Sequence, residues 1–194
     1  MKNRIPALIA FIGAPFLGID FYTHIHSSNQ WEVYVSTRIF DILYMAGWIC
    51  SILAFIRMKA AGETRGARNI LHIQLLFLFL AVSSDIVALL RIPVPENVFF
   101  YWDLFWPISN CMMLVTGISI AVAGKLQNWK KFVPLLTGLW LPVCIPVKLF
   151  MPIEYIAYIG GTYSIIMWTL LAYVAFSNRR TESIENKSAI TGFA

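Results

Sequence analysis

The sequence has few charged residues. Asp, Glu, Lys and Arg make up 13% of its 194 residues, and 59% of the chain is hydrophobic. Soluble domains, in contrast, carry about 25% charged and about 45–50% apolar residues. This balance excludes a water-soluble globular domain, a disordered chain and a collagen-like repeat. The mean hydropathy of +0.70 is instead typical of a protein that crosses a membrane several times.

Cysteine and histidine are also scarce, with three residues of each. The cysteines are odd in number and all lie inside hydrophobic runs, so we expect no disulfide framework. His24 and His26 form an H-x-H pair without further spaced ligands, and we therefore expect no metal ion and no cofactor. The sequence contains no G-x-S-x-G, Walker, H-E-x-x-H or G-x-G-x-x-G motif, so nothing supports a hydrolase with a standard nucleophile.

Six hydrophobic runs are present, and each approaches the roughly 20 residues that a membrane-spanning helix needs. They cover about residues 5–22, 39–56, 70–90, 99–123, 132–150 and 155–177. Lipid offers no partner for a bare backbone amide, and runs without alternation favour helices over a barrel. We predict an all-α bundle of six transmembrane helices over residues 1–178, arranged as three antiparallel hairpins. A short polar cytoplasmic tail, expected to be disordered, follows over residues 179–194.

The positive charges are distributed unevenly. Twelve of the fifteen Lys and Arg residues fall on one side of the predicted bundle, and only Arg38, Arg91 and Lys148 do not. Because positive charge stays cytoplasmic in short loops, we predict a multi-pass protein of the cell (plasma or inner) membrane with both termini in the cytoplasm. The net charge of +5 then reflects topology and attraction to the lipid bilayer. We expect no nucleic-acid partner, and the oligomeric state stays open.

The acidic residues show the opposite distribution, since seven of the ten belong to the predicted outer half. Five ionisable residues from five helices fall at one level beneath that surface: Asp20, Asp41, Asp85, Asp103 and Lys148. A charge in hydrocarbon costs about 2.5–3.5 kcal/mol, so these groups should face the bundle interior or a water-filled pocket. There an Asp can pair with Lys148, Arg38 or Arg91. Acids in terminal turns can also simply reach water, and this interpretation stays open.

Two helices carry a repeated spacing that is typical of a lined pocket. The residues Asp103, Trp106 and Asn110 stand at i, i+3 and i+7, and so share one helix face. Asp41, Tyr44 and Trp48 repeat this pattern. With the deeper charged residues, the predicted substrate-binding set is Asp41, Tyr44, Trp48, Asp85, Asp103, Trp106, Asn110 and Lys148. The same spacing also fits interfacial aromatics and one satisfied core amide.

The fifth run contains Pro134, Pro142 and Pro146 just before Lys148. A broken helix next to a charge is found at transport sites, although proline kinks also serve packing. Three functions remain open. The first is small-solute or proton-coupled transport or binding, in which protonation of Asp85 drives movement. The second is a membrane-embedded enzyme that uses Asp acid/base chemistry on a lipid or isoprenoid-like substrate, shielded by Trp48, Trp102 and Trp106. The third is a non-catalytic scaffold subunit.

Overall fold

The computed structural model of the chain describes residues 4–26 and 30–191, and within these ranges it contains helices and no β-strand. The elements in chain order are α1 (Arg4–Gly13), α2 (Phe16–His26), α3 (Gln30–Arg57), α4 (Arg65–Leu89), α5 (Glu96–Asp103), α6 (Phe105–Ala123), a 3₁₀ turn (Asn128–Phe132), α7 (Val133–Gly138), α8 (Trp140–Phe150), α9 (Ile153–Tyr155), a π-helical stretch (Ile156–Gly161) and α10 (Thr162–Thr191). The prediction of an all-helical fold is confirmed.

Within the described residues, five helical segments are long and apolar enough to cross a membrane: Ile5–Ile25, Tyr34–Arg57, Arg65–Leu89, Glu96–Ala123 and Ile156–Ser177. A sixth segment, Asn128–Gly138 with Trp140–Phe150, qualifies only if its two halves are taken together, because they are bent by 40°. Each of the six predicted hydrophobic runs therefore corresponds to a helical segment. This confirms the apolar helices by length and composition.

Proline explains where the helices break. An α-helical residue donates its N–H to the carbonyl four residues earlier, and proline has no N–H to give. Pro107 follows Asp103, the last residue of α5, by four positions, and Pro142 follows Gly138, the last residue of α7, by the same interval. Pro15 lies directly at the break between α1 and α2. The sequence therefore sets the positions of these interruptions locally.

Helix α3 lies at the centre of the bundle and packs against α1, α2, α4 and α10. Helices that follow one another in sequence are also neighbours in space, since α4 packs on α6 and α6 packs on α7. The last pair approaches backbone to backbone at Gly117 and Gly138. A side chain at either position would overlap the backbone of Leu135 or Leu114, so the absence of a Cβ permits this contact.

The end of the chain differs from the expectation. Residues 179–194 were predicted to form a disordered tail, but the backbone of α10 continues as a helix to Thr191. Residues 192–194 lie outside the described ranges. A helix that already exists elongates without forming a new nucleus, so polar residues can extend a hydrophobic segment even where their composition alone suggests disorder.

Replacing Gly117 with Ala should destabilise the protein by about 1–3 kcal/mol, because the new methyl group would force α6 and α7 apart. Gly66 is the matched control, since nothing lies within 4 Å of a Cβ added there. Gly66→Ala should leave stability unchanged or raise it slightly through helix propensity. Thermal unfolding in detergent, monitored by size-exclusion chromatography, measures the unfolding midpoints of both variants. Equal midpoints for the two variants would contradict the close α6–α7 contact.

Candidate functional site

Four carboxyl groups and one guanidinium meet at one end of the bundle, which we call the acidic end. The acids come from four different helices: Asp20 from α2, Asp41 from α3, Asp85 from α4 and Asp103 from α5. Together with Arg38, Leu17, Phe21 and Trp106 they line a cavity of about 140 Å³, which we call the acidic cavity. Of the five ionisable residues predicted to lie at one level, the four acids therefore share this cavity, whereas Lys148 does not line it.

Arg38 is the cation at the centre of this group. Its Nη1 lies 2.5 Å from Asp85 Oδ1 and 3.8 Å from Asp103 Oδ1. The Arg38 side chain is 20% exposed and that of Asp85 only 6%, so the pair is largely shielded from water. The guanidinium also lies over the rings of Tyr34 and Phe99, at 5.6 and 5.9 Å from their centroids. The electron-rich faces of both rings attract the positive charge.

The sequence left Lys148, Arg38 and Arg91 open as partners of a buried Asp, and the structure selects Arg38 for Asp85. The predicted second run began near residue 39, which placed Arg38 just outside its first residue. Helix α3 in fact begins at Gln30, so Arg38 lies two turns inside it. The sequence pattern that could have indicated Arg38 is its i, i+3 spacing from Asp41, which puts both residues on the same helix face.

Asp20 occupies a second position of interest at the acidic end. Only 7% of the residue is exposed, and its Oδ2 lies 3.4 Å from His24 Nδ1, one helical turn away. Its Oδ1 is buried and has no hydrogen-bond partner. Among the residues that the structure describes, neither Asp20 nor Asp41 has a Lys or Arg within salt-bridge distance. The four carboxyl groups of the acidic cavity thus share a single guanidinium.

A larger cavity of about 460 Å³ adjoins the acidic cavity, and we call it the aromatic cavity. Asp20, Phe21 and Trp106 line both cavities. The rest of the wall comes from the last turn of α2, from α8, which includes Trp140 and Cys144, and from the π-helical stretch. A hydrogen bond of 2.9 Å from Trp140 Nε1 to the Gly160 carbonyl joins α8 to the π-helical stretch. Broken helices therefore form much of this wall.

The predicted site residues fall into three groups. Asp41, Asp85, Asp103 and Trp106 line the acidic cavity, and Lys148 with Trp106 lines the aromatic cavity. Lys148 is exposed, and within residues 34–152 and 154–177 it forms no salt bridge. The remaining predicted residues, Tyr44, Trp48 and Asn110, lie outside both cavities.

Packing accounts for these last three residues. Tyr44 and Trp48 are fully buried against Trp168, with ring centroids 5.3 and 5.4 Å away. Asn110 is buried, and its Nδ2 donates to the carbonyl of Trp106 in its own helix at 3.0 Å. Sequence reasoning underrated Asp20 and did not single out Phe21 or Trp140. An aromatic residue in an apolar run carries no local mark that separates a cavity wall from a core position.

Among the described residues, no group of three or more His, Cys, Asp and Glu side chains is placed to hold a metal. An excess of carboxyl groups in a partly enclosed space attracts protons, water or organic cations. No protein-family model, curated protein or solved structure matches the chain.

Replacing Arg38 with Gln should destabilise the protein by about 3 kcal/mol, because Asp85 would then be buried without its partner. The double variant Arg38→Gln/Asp85→Asn should recover most of this loss, since neither charge remains. Arg65→Gln, at the exposed start of α4, is the control and should have little effect. Thermal unfolding in detergent of the wild type, Arg38→Gln, Asp85→Asn and the double variant completes this double-mutant cycle. A double variant as unstable as the sum of both single changes would show that the pair is not coupled.

Proposed function

We propose that this protein is a multi-pass transporter or solute-binding protein of the cell membrane. It takes a small solute or a proton into the acidic cavity and the aromatic cavity from outside the cell. The observation that carries this proposal is the convergence of Asp20, Asp41, Asp85 and Asp103 around one guanidinium, next to a cavity of about 460 Å³. Buried carboxyl groups in membrane-spanning helices usually belong to ion, proton or substrate pathways.

The proposed orientation follows from charge. Most of the exposed Lys and Arg residues in the described part of the chain lie at the end opposite the acidic end, in the links from α3 to α4 and from α6 to α7. Arg91 and Lys148 are the exceptions and are exposed toward the acidic end. Because positive loops stay in the cytoplasm, that end faces inward and the acidic end faces outward. Six spans, with the bent α7–α8 pair counted as one, place both termini in the cytoplasm.

The proposed coupling device is the Arg38–Asp85 pair. In the described conformation Arg38 is closest to Asp85, with Asp103 as its next partner at 3.8 Å. A proton that binds to Asp85 would remove its charge and release Arg38 toward the other carboxyl groups. Such a change of partner offers two discrete arrangements of α3, α4 and α5, and an element with two arrangements can link proton binding to movement.

The enzyme alternative is supported by one observation. Asp20 lies at an aromatic-walled cavity, where a carboxyl group could act as a general acid on an apolar substrate. A membrane-embedded enzyme would convert an added lipid or isoprenoid-like compound, whereas a transporter would move its solute unchanged. The acid excess around Arg38 favours transport, because proton transfer to a substrate requires one or two carboxyl groups and not four.

The topology can be tested with single cysteines in a chain whose three native cysteines are replaced by Ser. Gln127 and Glu154 are exposed and flank the bent α7–α8 pair. If this pair crosses the membrane, Gln127→Cys and Glu154→Cys should react with an impermeant thiol reagent from opposite sides. Val98→Cys, exposed in α5 at the acidic end, serves as the reference and should react from the same side as Glu154→Cys. Labelling of both flanking positions from the same side would show that the α7–α8 pair is a re-entrant loop.

Asp85→Asn should abolish proton coupling. Proteoliposomes containing a pH-sensitive dye, with the potential set by a potassium gradient, should show faster proton flux than empty liposomes. We expect Asp85→Asn to lower that flux at least about tenfold, because the proton acceptor is lost. A tenfold loss corresponds to a rise of about 1.4 kcal/mol in the activation free energy. Glu63→Gln, at an exposed site at the opposite end, should retain the wild-type flux. Equal flux for Asp85→Asn and the wild type would remove this mechanism.

A further inference from the structure

The aromatic cavity has the size and composition of a small-molecule site. Its volume of about 460 Å³ falls within the range of about 300–1,000 Å³ that ligand pockets occupy. Three aromatic side chains, Phe21, Trp106 and Trp140, contribute to its wall. Trp140 packs edge to face on Trp106 with centroids 5.6 Å apart, and Phe21 lies 5.9 Å from Trp140, so the three rings form one continuous surface.

Among the residues that the structure describes, Asp20 is the only carboxyl group in this wall. The residue is nine-tenths buried, and its Oδ1 has no hydrogen-bond partner. A buried oxygen of this kind is costly unless it accepts a hydrogen bond. The indole N–H of Trp106, in the same wall, is also buried without an acceptor. Both unpartnered groups lie where the aromatic and acidic cavities adjoin.

The charges around Asp20 favour a positive ligand. Asp41, Asp85 and Asp103 line the adjoining cavity, and Arg38 there is already paired with Asp85. The remaining basic groups in the wall of the aromatic cavity are His24, which contacts Asp20, and Lys148 in the last turn of α8, which is exposed. The described interior of the site is therefore acidic, and the ammonium group of Lys148 lies on an exposed residue of its wall.

We propose that the aromatic cavity binds an organic ammonium ion with a hydrophobic body. The ammonium group donates to Asp20 Oδ1, and the body lies against Phe21, Trp106 and Trp140. Charge-assisted hydrogen bonds are the stronger ones, and aromatic faces attract a cation within about 6 Å. This inference names the substrate class of the proposed function and rests on the same site.

Three probes with one skeleton and different head groups test the inference: naphthylethylamine, naphthylethanol and naphthylacetate. The full chain with Cys50→Ser and Cys111→Ser retains Cys144 as its only thiol, and Cys144 lies in the wall of the aromatic cavity. Protection of this thiol from N-ethylmaleimide reports occupancy. A thermal shift of the wild-type protein, caused by each probe, gives a second measurement of the same binding.

We expect the amine to protect Cys144 and the other two probes to protect it far less. Asp20→Asn should weaken the amine at least about tenfold, as loss of a charge-assisted hydrogen bond implies. Glu154→Gln removes an exposed carboxyl group at the same end without touching the cavity and should leave the amine affinity unchanged. The unfolding midpoint of Asp20→Asn in the absence of probe verifies that the variant is folded.

Two outcomes would overturn the inference. If naphthylacetate binds best and loses affinity in Lys148→Gln, the cavity is an anion site. If all three probes bind equally and Asp20→Asn changes nothing, the cavity recognises only hydrophobic bulk. The proton-flux measurement on Asp85→Asn uses no amine. If Asp85→Asn leaves the flux unchanged but the amine still binds, only the proposed transport mechanism is wrong. If the flux falls as expected but the amine does not bind, only this inference is wrong.

Discussion

The acidic end depends on one ion pair. Arg38 and Asp85 lie on neighbouring helices, and their contact brings together α3 and α4 at the level where four carboxyl groups meet. Charges removed from water must be paired at close range, because otherwise the desolvation penalty exceeds the free energy gained from electrostatic attraction. A single guanidinium within reach of Asp85 and Asp103 reduces the repulsion among the acids but does not cancel it. Carboxyl groups therefore outnumber basic groups in the lining that the structure describes for this cavity.

The aromatic cavity lies among irregular helical segments. Continuous helices such as α3 and α4 pack closely along their length, whereas α2, α8 and the π-helical stretch meet around open space. Proline breaks turn helix axes away from one another, and π-helical turns are frequent at functional sites. The hydrogen bond from Trp140 to the Gly160 carbonyl joins two of these segments and so holds that part of the cavity wall together.

Hydrophobic runs, prolines and charge were enough to predict the helical segments and the level at which Asp20, Asp41, Asp85 and Asp103 gather. Helix ends were less predictable. The polar residues before position 39 suggested a loop, yet α3 begins at Gln30. The polar residues after position 178 suggested a disordered tail, yet α10 continues to Thr191. In both cases an adjoining apolar segment carries the helix outward, because elongation is easier than nucleation.

The sequence by itself determined where the apolar segments lie and where proline interrupts a helix, because both follow from local chemistry. The tertiary structure decided which of these residues share a cavity. Tyr44 and Trp48 repeat the spacing that places Trp106 below Asp103, yet they pack against Trp168 in the core, while Trp106 lines both cavities. Helical periodicity assigns a residue to a face. The helices that pack around that face determine whether it meets another side chain or open space.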